Sequence, residues 1–242
     1  MPAIYEKKFQ IPAFATDRCG RLKCSYLLSL CQEVAGDHSA LLGTDYASTK
    51  LYWVVTRQKV QIARLPGAGE EILLQTWPMP TTRVAYPRST IAYDAQGNEL
   101  FRAISLWVLM DPGSRAMILP GKSGVTVNGM LRGSELAVPG SLVPGTMKNT
   151  DLRTVRYTEL DTNGHMNNAR YLDWLDDLLS AEFHAQHIPA EFTVCYLSEA
   201  RENETLELHW ELSPQEGLRL DGLRREEAGS GHSRVFSAKM LF

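Results

Sequence analysis

Two hydrophobic periods alternate along the chain. Leu27, Leu30, Cys31 and Val34 recur at helical spacing and predict an amphipathic helix over 23–35. Strand-like runs follow at 53–63, 70–77, 84–93 and 100–110. Leu65-Pro66-Gly67-Ala68-Gly69 and Asp94-Ala95-Gln96-Gly97-Asn98 supply hairpin turns between them, so the strands read as antiparallel. A second helix is predicted over 167–183, with Leu172, Leu175, Leu178 and Leu179 inward and Asp173, Asp176 and Asp177 outward. Strands are predicted again at 192–198, 205–212, 218–226 and 235–242. The stretch between the two sets, 120–147, is rich in Gly and Pro, lacks a sustained apolar period and reads as a linker.

The same order, a short strand, one helix and several long strands, therefore occurs twice. Tyr26, Leu27 and Leu30 fall on Tyr171, Leu172 and Leu175, 145 residues on, and Glu71, Leu73 and Trp77 fall on Glu204, Leu206 and Trp210, 133 residues on. The repeat rests mainly on shared element order. One helix per set of antiparallel strands implies an α+β layer arrangement, each sheet wrapped around its helix. The expected division is a first domain over 1–120, a linker over 121–150 and a second domain over 151–242.

Composition narrows the function classes. The 242 residues are 44% hydrophobic and 22% charged, as in ordinary globular chains, and the formal charge is only -3, so no global field would hold nucleic acid or anionic lipid. Residues 1–14 resemble neither a signal nor a transit peptide, and no apolar run approaches the ~18–20 residues that cross a bilayer. A cytoplasmic protein with no membrane span and no nucleic-acid partner is expected. Cys19, Cys24, Cys31 and Cys195 lack C-x-x-C spacing, which points away from disulfides and zinc.

The densest polar cluster beside a helix start is Asp161-Thr162-Asn163-Gly164-His165-Met166-Asn167-Asn168. In an extended segment, alternate side chains share a side, so Asp161, Asn163 and His165 would form one row. Gly164 permits a sharp turn into a helix whose first N–H groups lack intrahelical acceptors and can face a carbonyl or oxyanion. The competing structural reading makes Asp161 or Asn163 a helix cap and His165 a surface residue.

The run from Asp161 to Tyr171 resembles the D-x-N-x-H-x-N-N-x-x-Y signature of acyl-acyl-carrier-protein thioesterases. Trp53-Val54-Val55-Thr56-Arg57 with Arg64-Leu65-Pro66, and Trp107-Val108-Leu109-Met110-Asp111 running through Arg115 to Leu119-Pro120, are similar to that family's first-half segments. The resemblance implies a tandem hotdog fold, a thioester hydrolase of fatty acid synthesis, and an acyl carrier protein with a phosphopantetheine-linked acyl chain as partner. It implies catalytic roles for Asp161, Asn163, His165 and, within Tyr196-Leu197-Ser198-Glu199-Ala200-Arg201, for Glu199. Ala200 stands where the family often has Cys, so a Cys-His-Asn nucleophilic set cannot operate through that position and direct attack by water is expected. Glu199, with Asp161 or His165, would activate the water, while Asn163 and a helix-start N–H polarise the thioester. Neither a cofactor nor a metal is needed.

The repeat spacings place Gly20 opposite His165 and Pro66 opposite Glu199, so the first half lacks the catalytic set and is expected to supply the acyl pocket. Cys195 shares the strand face of Leu197 and Glu199, but a thiol on an alternating strand reads as core. His184 and His187, near Glu182 and Glu191, read as a solvated helix end rather than a metal site, and Asp37-His38-Ser39 as capping and loop structure. Arg153, Arg156, Arg170, Arg201, Arg224 and Arg225 could form a landing area for an acidic carrier. An acyl-CoA thioesterase of the same fold and a non-catalytic acyl-binding module are the alternatives. A homodimer through a sheet edge or helix face is open beside a monomer.

Overall fold

A computed structural model of the chain describes residues 3–226 and 231–242. It forms two compact units, one up to Pro139 and the other from Gly140.

The first unit opens with β1 (Tyr5–Gln10) and the helix α1 (Cys24–Leu41), then a single turn, α2 (Tyr46–Thr49). Four strands follow, β2 (Tyr52–Ile62), β3 (Glu71–Pro78), β4 (Tyr86–Asp94) and β5 (Glu99–Met110), with the short β6 (Met117–Ile118) paired to β5. The sheet is antiparallel in the order β1-β3-β4-β5-β2. Period-two burial on β3, where Ile72, Leu74 and Thr76 are inside, meets the face of α1 that carries Leu27, Leu28, Cys31 and Val34. The helix runs six residues beyond the predicted end, so Asp37-His38-Ser39 lies on it rather than in a loop. Asp37 binds Tyr5 and Lys7, and His38 is fully buried.

Much of the Gly- and Pro-rich stretch packs on this unit. Glu135 accepts a hydrogen bond from the indole of Trp77 at 3.1 Å, Arg132 lies 4.8 Å from the same ring, and Leu136 is buried against Met79 and Ile104. The unit boundary accordingly falls at Pro139, within the predicted linker.

In the second unit β7 (Asn149–Thr154) precedes α3 (Arg170–Asp176) and α4 (Ala181–Gln186). β8 (Glu191–Tyr196), β9 (Thr205–Ser213), β10 (Gly217–Arg225) and β11 (His232–Leu241) form an antiparallel sheet ordered β8-β11-β10-β9-β7. Gly222 is required where β10 meets β11, because a Cβ there would sit 2.0 Å from the Phe236 ring. Tyr171 and Trp174 of α3 pack their rings on Phe236, at 4.5 and 6.4 Å between centroids.

The α+β class holds in both units, but the second helix is two short ones instead of one long one. Carboxylates at Asp176 and Asp177 oppose the negative end of the α3 dipole, and Ser180 starts a new helix by accepting the N–H of Phe183 at 3.2 Å. The imidazole of His184 donates to the carbonyl of Asp176 at 2.8 Å, satisfying an acceptor at the broken end.

The repeat is plain in the hydrogen bonds. Leu22 N–H donates to the carbonyl of Pro66 as Met166 N–H does to that of Ala200, and Ile11 to Glu70 as Val155 to Glu204. These pairs fix the spacing at 144 residues for the loop and 134 for the strands. Burial agrees, since Leu27, Leu28, Leu30 and Cys31 match Tyr171, Leu172, Trp174 and Leu175, and Ile72 and Leu74 match Leu206 and Leu208. Alignment by local identity is therefore one residue off in both segments, enough on a strand to exchange its two faces.

Candidate active site

The segment over 160–166 is a closed turn rather than an extended row. Asp161 and His165 pair across it, N–H to carbonyl at 2.8 Å, Leu160 bridges to Met166, and Gly164 takes φ +77°. The cause is Asp161, whose Oδ1 accepts the backbone N–H groups of Asn163 at 2.8 Å and His165 at 3.2 Å. Its Oδ2 lies 3.3 Å from the Asn163 amide nitrogen. The first unit builds the same turn. Asp17 Oδ1 accepts from Cys19 and Arg21 at 2.8 and 2.9 Å, and Gly20 also has φ +77°.

The turn is anchored to the segment after β8, where His165 bridges to Arg201. That bridge brings the imidazole Nε2 of His165 to 3.1 Å from Glu199 Oε2, with side-chain exposures of 19% and 34%. The pair is shielded but within reach of a substrate entering from solvent. Between side chains, the four predicted residues thus form two contacts, His165 with Glu199 and Asp161 with Asn163. Asp161 shapes the turn, and its carboxylate is engaged by backbone donors.

The helix-start N–H groups are also largely engaged. Met166 donates to Ala200 O, Asn167 to Glu159 O, Ala169 to the side chain of Asn167 and Arg170 to Asn167 O. Among the side-chain donors on this turn, the Asn163 amide is placed to meet a developing oxyanion.

Two residues missed from sequence hold Glu199 in place. Arg224, on β10, donates through Nη2 to the carbonyl of Glu199 at 2.6 Å and through Nη1 to Ser198 Oγ at 3.3 Å, while its Nε pairs with Glu204. Glu204 Oε2 accepts the N–H of Arg201 at 3.0 Å, closing the turn from the other side. Burial alone would raise the Glu204 carboxyl, but the Arg224 guanidinium and the Arg201 N–H outweigh it and hold the pKa below its ordinary value. The first unit repeats the clamp with Arg64 on Glu70, whose Oε2 accepts the N–H of Gly67 at 3.0 Å. At the spacing of 134, one residue from the identity alignment, Glu70 falls on Glu204, and that match was the available signal for Glu204.

The corrected spacings place Asp17, Cys19, Arg21 and Leu65 opposite Asp161, Asn163, His165 and Glu199. Arg21, not Gly20, is the counterpart of His165, and Leu65, not Pro66, that of Glu199. Cys195 is 1% exposed on β8. His187 bonds the carbonyl of Phe183 at 3.0 Å and stacks on its ring at 3.9 Å. Of the six arginines of the expected landing area, Arg153, Arg170, Arg224 and Arg225 pair with carboxylates, which leaves little net positive charge there.

Comparison with known proteins gives a family match over most of the chain. Residues 2–119 match the acyl-ACP thioesterase N-terminal domain and residues 145–237 its C-terminal domain. The chain is 25% identical over 193 residues to a palmitoyl-acyl carrier protein thioesterase of Arabidopsis thaliana, covering 71% of this chain and 46% of that protein. It is 24% identical to oleoyl-acyl carrier protein thioesterase 1 of the same plant, over 84% of this chain and 62% of that one. The chain thus spans about half to two thirds of the length of these curated relatives. An acyl-ACP thioesterase structure from Bacteroides thetaiotaomicron superposes with a TM-score of 0.88 at 22% identity, covering 99% of this chain and 97% of that one. The 12:0-ACP thioesterase of Umbellularia californica gives 0.79 at 23%, over 99% and 97%. Both likenesses are of fold.

Proposed function

Because the chain belongs to the acyl-acyl-carrier-protein thioesterase family, we propose that it hydrolyses the thioester joining a fatty acyl group to an acyl carrier protein, releasing a free fatty acid. The observation that carries this reading is the 3.1 Å contact between His165 and Glu199, made by two segments held together through backbone bridges. Thioester hydrolysis needs a base for a water proton and donors for the oxyanion. In the proposed reaction a water gives its proton to the His165–Glu199 pair as its oxygen adds to the thioester carbonyl carbon. The Asn163 amide donates to the resulting oxyanion. When that intermediate collapses the C–S bond breaks, the sulfur leaves with the proton held by the pair, and the acid and the carrier thiol separate. Asp161 keeps the turn closed, and Arg224 and Glu204 hold the segment that presents Glu199.

The first unit, with Arg21 and Leu65 at the corresponding positions, has the acyl-binding part in this proposal. It contains a cavity walled by Trp53, Tyr86 and Trp107.

Thiol release from a panel of acyl carrier protein and acyl-CoA thioesters, with His165→Ala and Glu199→Ala alongside, tests the reading. Release that favours the carrier and disappears in both variants supports it. Preferred CoA turnover would transfer the activity to acyl-CoA, and bound acyl groups with no release would leave a binding module.

A further inference from the structure

The cavity of the first unit has a volume of about 110 Å³, and its lining of apolar residues with Gln32, Ser39 and Thr44 includes one charged side chain. Arg88, on β4, is buried beside Trp53, Tyr86, Trp107 and Val127. Both of its hydrogen bonds leave from Nη1, to His38 Nδ1 at 3.1 Å and Thr76 Oγ1 at 3.3 Å. Neither acceptor carries negative charge, and no carboxylate among the described residues pairs with Arg88. The acid nearest in sequence to its histidine partner, Asp37, is committed to Tyr5 and Lys7 at 3.1 and 2.8 Å. Thr76 in turn donates to Ser89 O at 2.8 Å and accepts from Thr90 at 3.0 Å, so the guanidinium is held by a fixed polar network. Burial lowers its pKa to about 10, which leaves it charged at neutral pH.

A buried cation without a counter-charge is costly, and the cost is relieved when an anion with matching geometry enters. The guanidinium fork fits a carboxylate, and with Nη1 tied to protein the donors on Nε and Nη2 remain for a ligand. Aromatic and aliphatic walls beside it suit a hydrocarbon chain. We propose that this cavity binds an aliphatic chain ending in a carboxylate, with Arg88 as its counter-charge. The carboxylate has two sources, a free fatty acid or the far-end carboxyl of an acyl group still attached as a thioester. The proposal refines the acyl-binding role given to this unit. It is read by binding without turnover, so it and the hydrolytic reading can fail separately.

Titration of the full chain with octanoate, methyl octanoate and octanol, followed by tryptophan fluorescence, is the test. Octanoate is expected to bind about tenfold or more tightly than its methyl ester. That ratio should fall to near one in Arg88→Leu and be partly kept in Arg88→Lys. Equal affinity for acid and ester in the unaltered protein, or a ratio that survives Arg88→Leu, overturns the proposal. If Arg88→Leu does not fold, the acid–ester comparison in the unaltered protein decides. Hydrolysis of 7-carboxyheptanoyl and octanoyl thioesters separates the sources. Faster turnover of the carboxylated chain, lost in Arg88→Leu, assigns the site to substrate, and octanoate selectivity without that preference assigns it to the free acid.

Discussion

At the scale of single residues, the proposed chemistry and the scaffolding fall to neighbours of the same type. Glu199 faces His165, whereas Glu204, five residues on, faces Arg224 and a backbone N–H. Glu199→Gln is expected to lower kcat by roughly 10²–10⁴ with little change in melting temperature, which steady-state kinetics beside thermal unfolding would check. Glu204 should show itself in acid. Its folded-state pKa is depressed, so the stability it contributes is present above the ordinary carboxyl value of 4.5 and is lost as the pH falls through the folded value. Urea unfolding at a series of pH values should therefore show a shallower acid decline in Glu204→Gln than in the unaltered protein. Equal slopes would mean that the Arg224 pairing does not perturb this carboxyl.

At the scale of elements, the two units offer an internal control. Arg224 clamps the segment bearing Glu199 from β10, and Arg64, beside Leu65, ties the equivalent segment to Glu70. Removing either guanidinium frees a carboxylate and loosens a turn, so both alanine variants should lose some thermal stability. Only Arg224→Ala should also lower kcat, by roughly ten- to a hundredfold, because small displacements of a catalytic group cost that much. Matching activity losses in Arg64→Ala and Arg224→Ala would reduce the Arg224 clamp to a structural role. The broken helix is an element-scale matter too. Its leucine period predicts one helix, but acids at the end of α3 and a serine cap at Ser180 divide it.

For the whole molecule, the hydrogen-bond skeleton is duplicated, with Asp17 and Glu70 repeating Asp161 and Glu204, but His165 and Glu199 are not, so the proposed reaction has one site per chain. Substituting Arg21, the counterpart of His165, should leave thiol release nearly unchanged, whereas His165→Ala should abolish it. Loss of release in both variants would show that the first unit takes part in the chemistry. The extent of the first unit is also testable. Trp77 is fully buried and ties the segment with Arg132 and Glu135 to β3, so Trp77→Ala should cost about 3–5 kcal/mol in chemical unfolding. A cost below about 1 kcal/mol would mean that the segment and the ring are not packed as one body.

Sequence by itself determined the elements that rest on local pattern. Alternation set the strands, leucine spacing set α1, and the order of elements revealed the repeat. The run from Asp161 to Tyr171, with Glu199, supplied the candidate site through family resemblance. What the sequence could not decide was register and partnership. A one-residue slip between the halves costs few identities in sequence but exchanges the faces of a strand, and only paired backbone groups settle it. Likewise, whether Asp161 serves as a base or as a turn former depends on which N–H groups its carboxylate meets in the folded chain. Arg224 lies 25 residues from Glu199, and Arg88 lies 50 from His38. Such contacts have no local signature, because they arise from strand pairing and packing between segments distant in the chain.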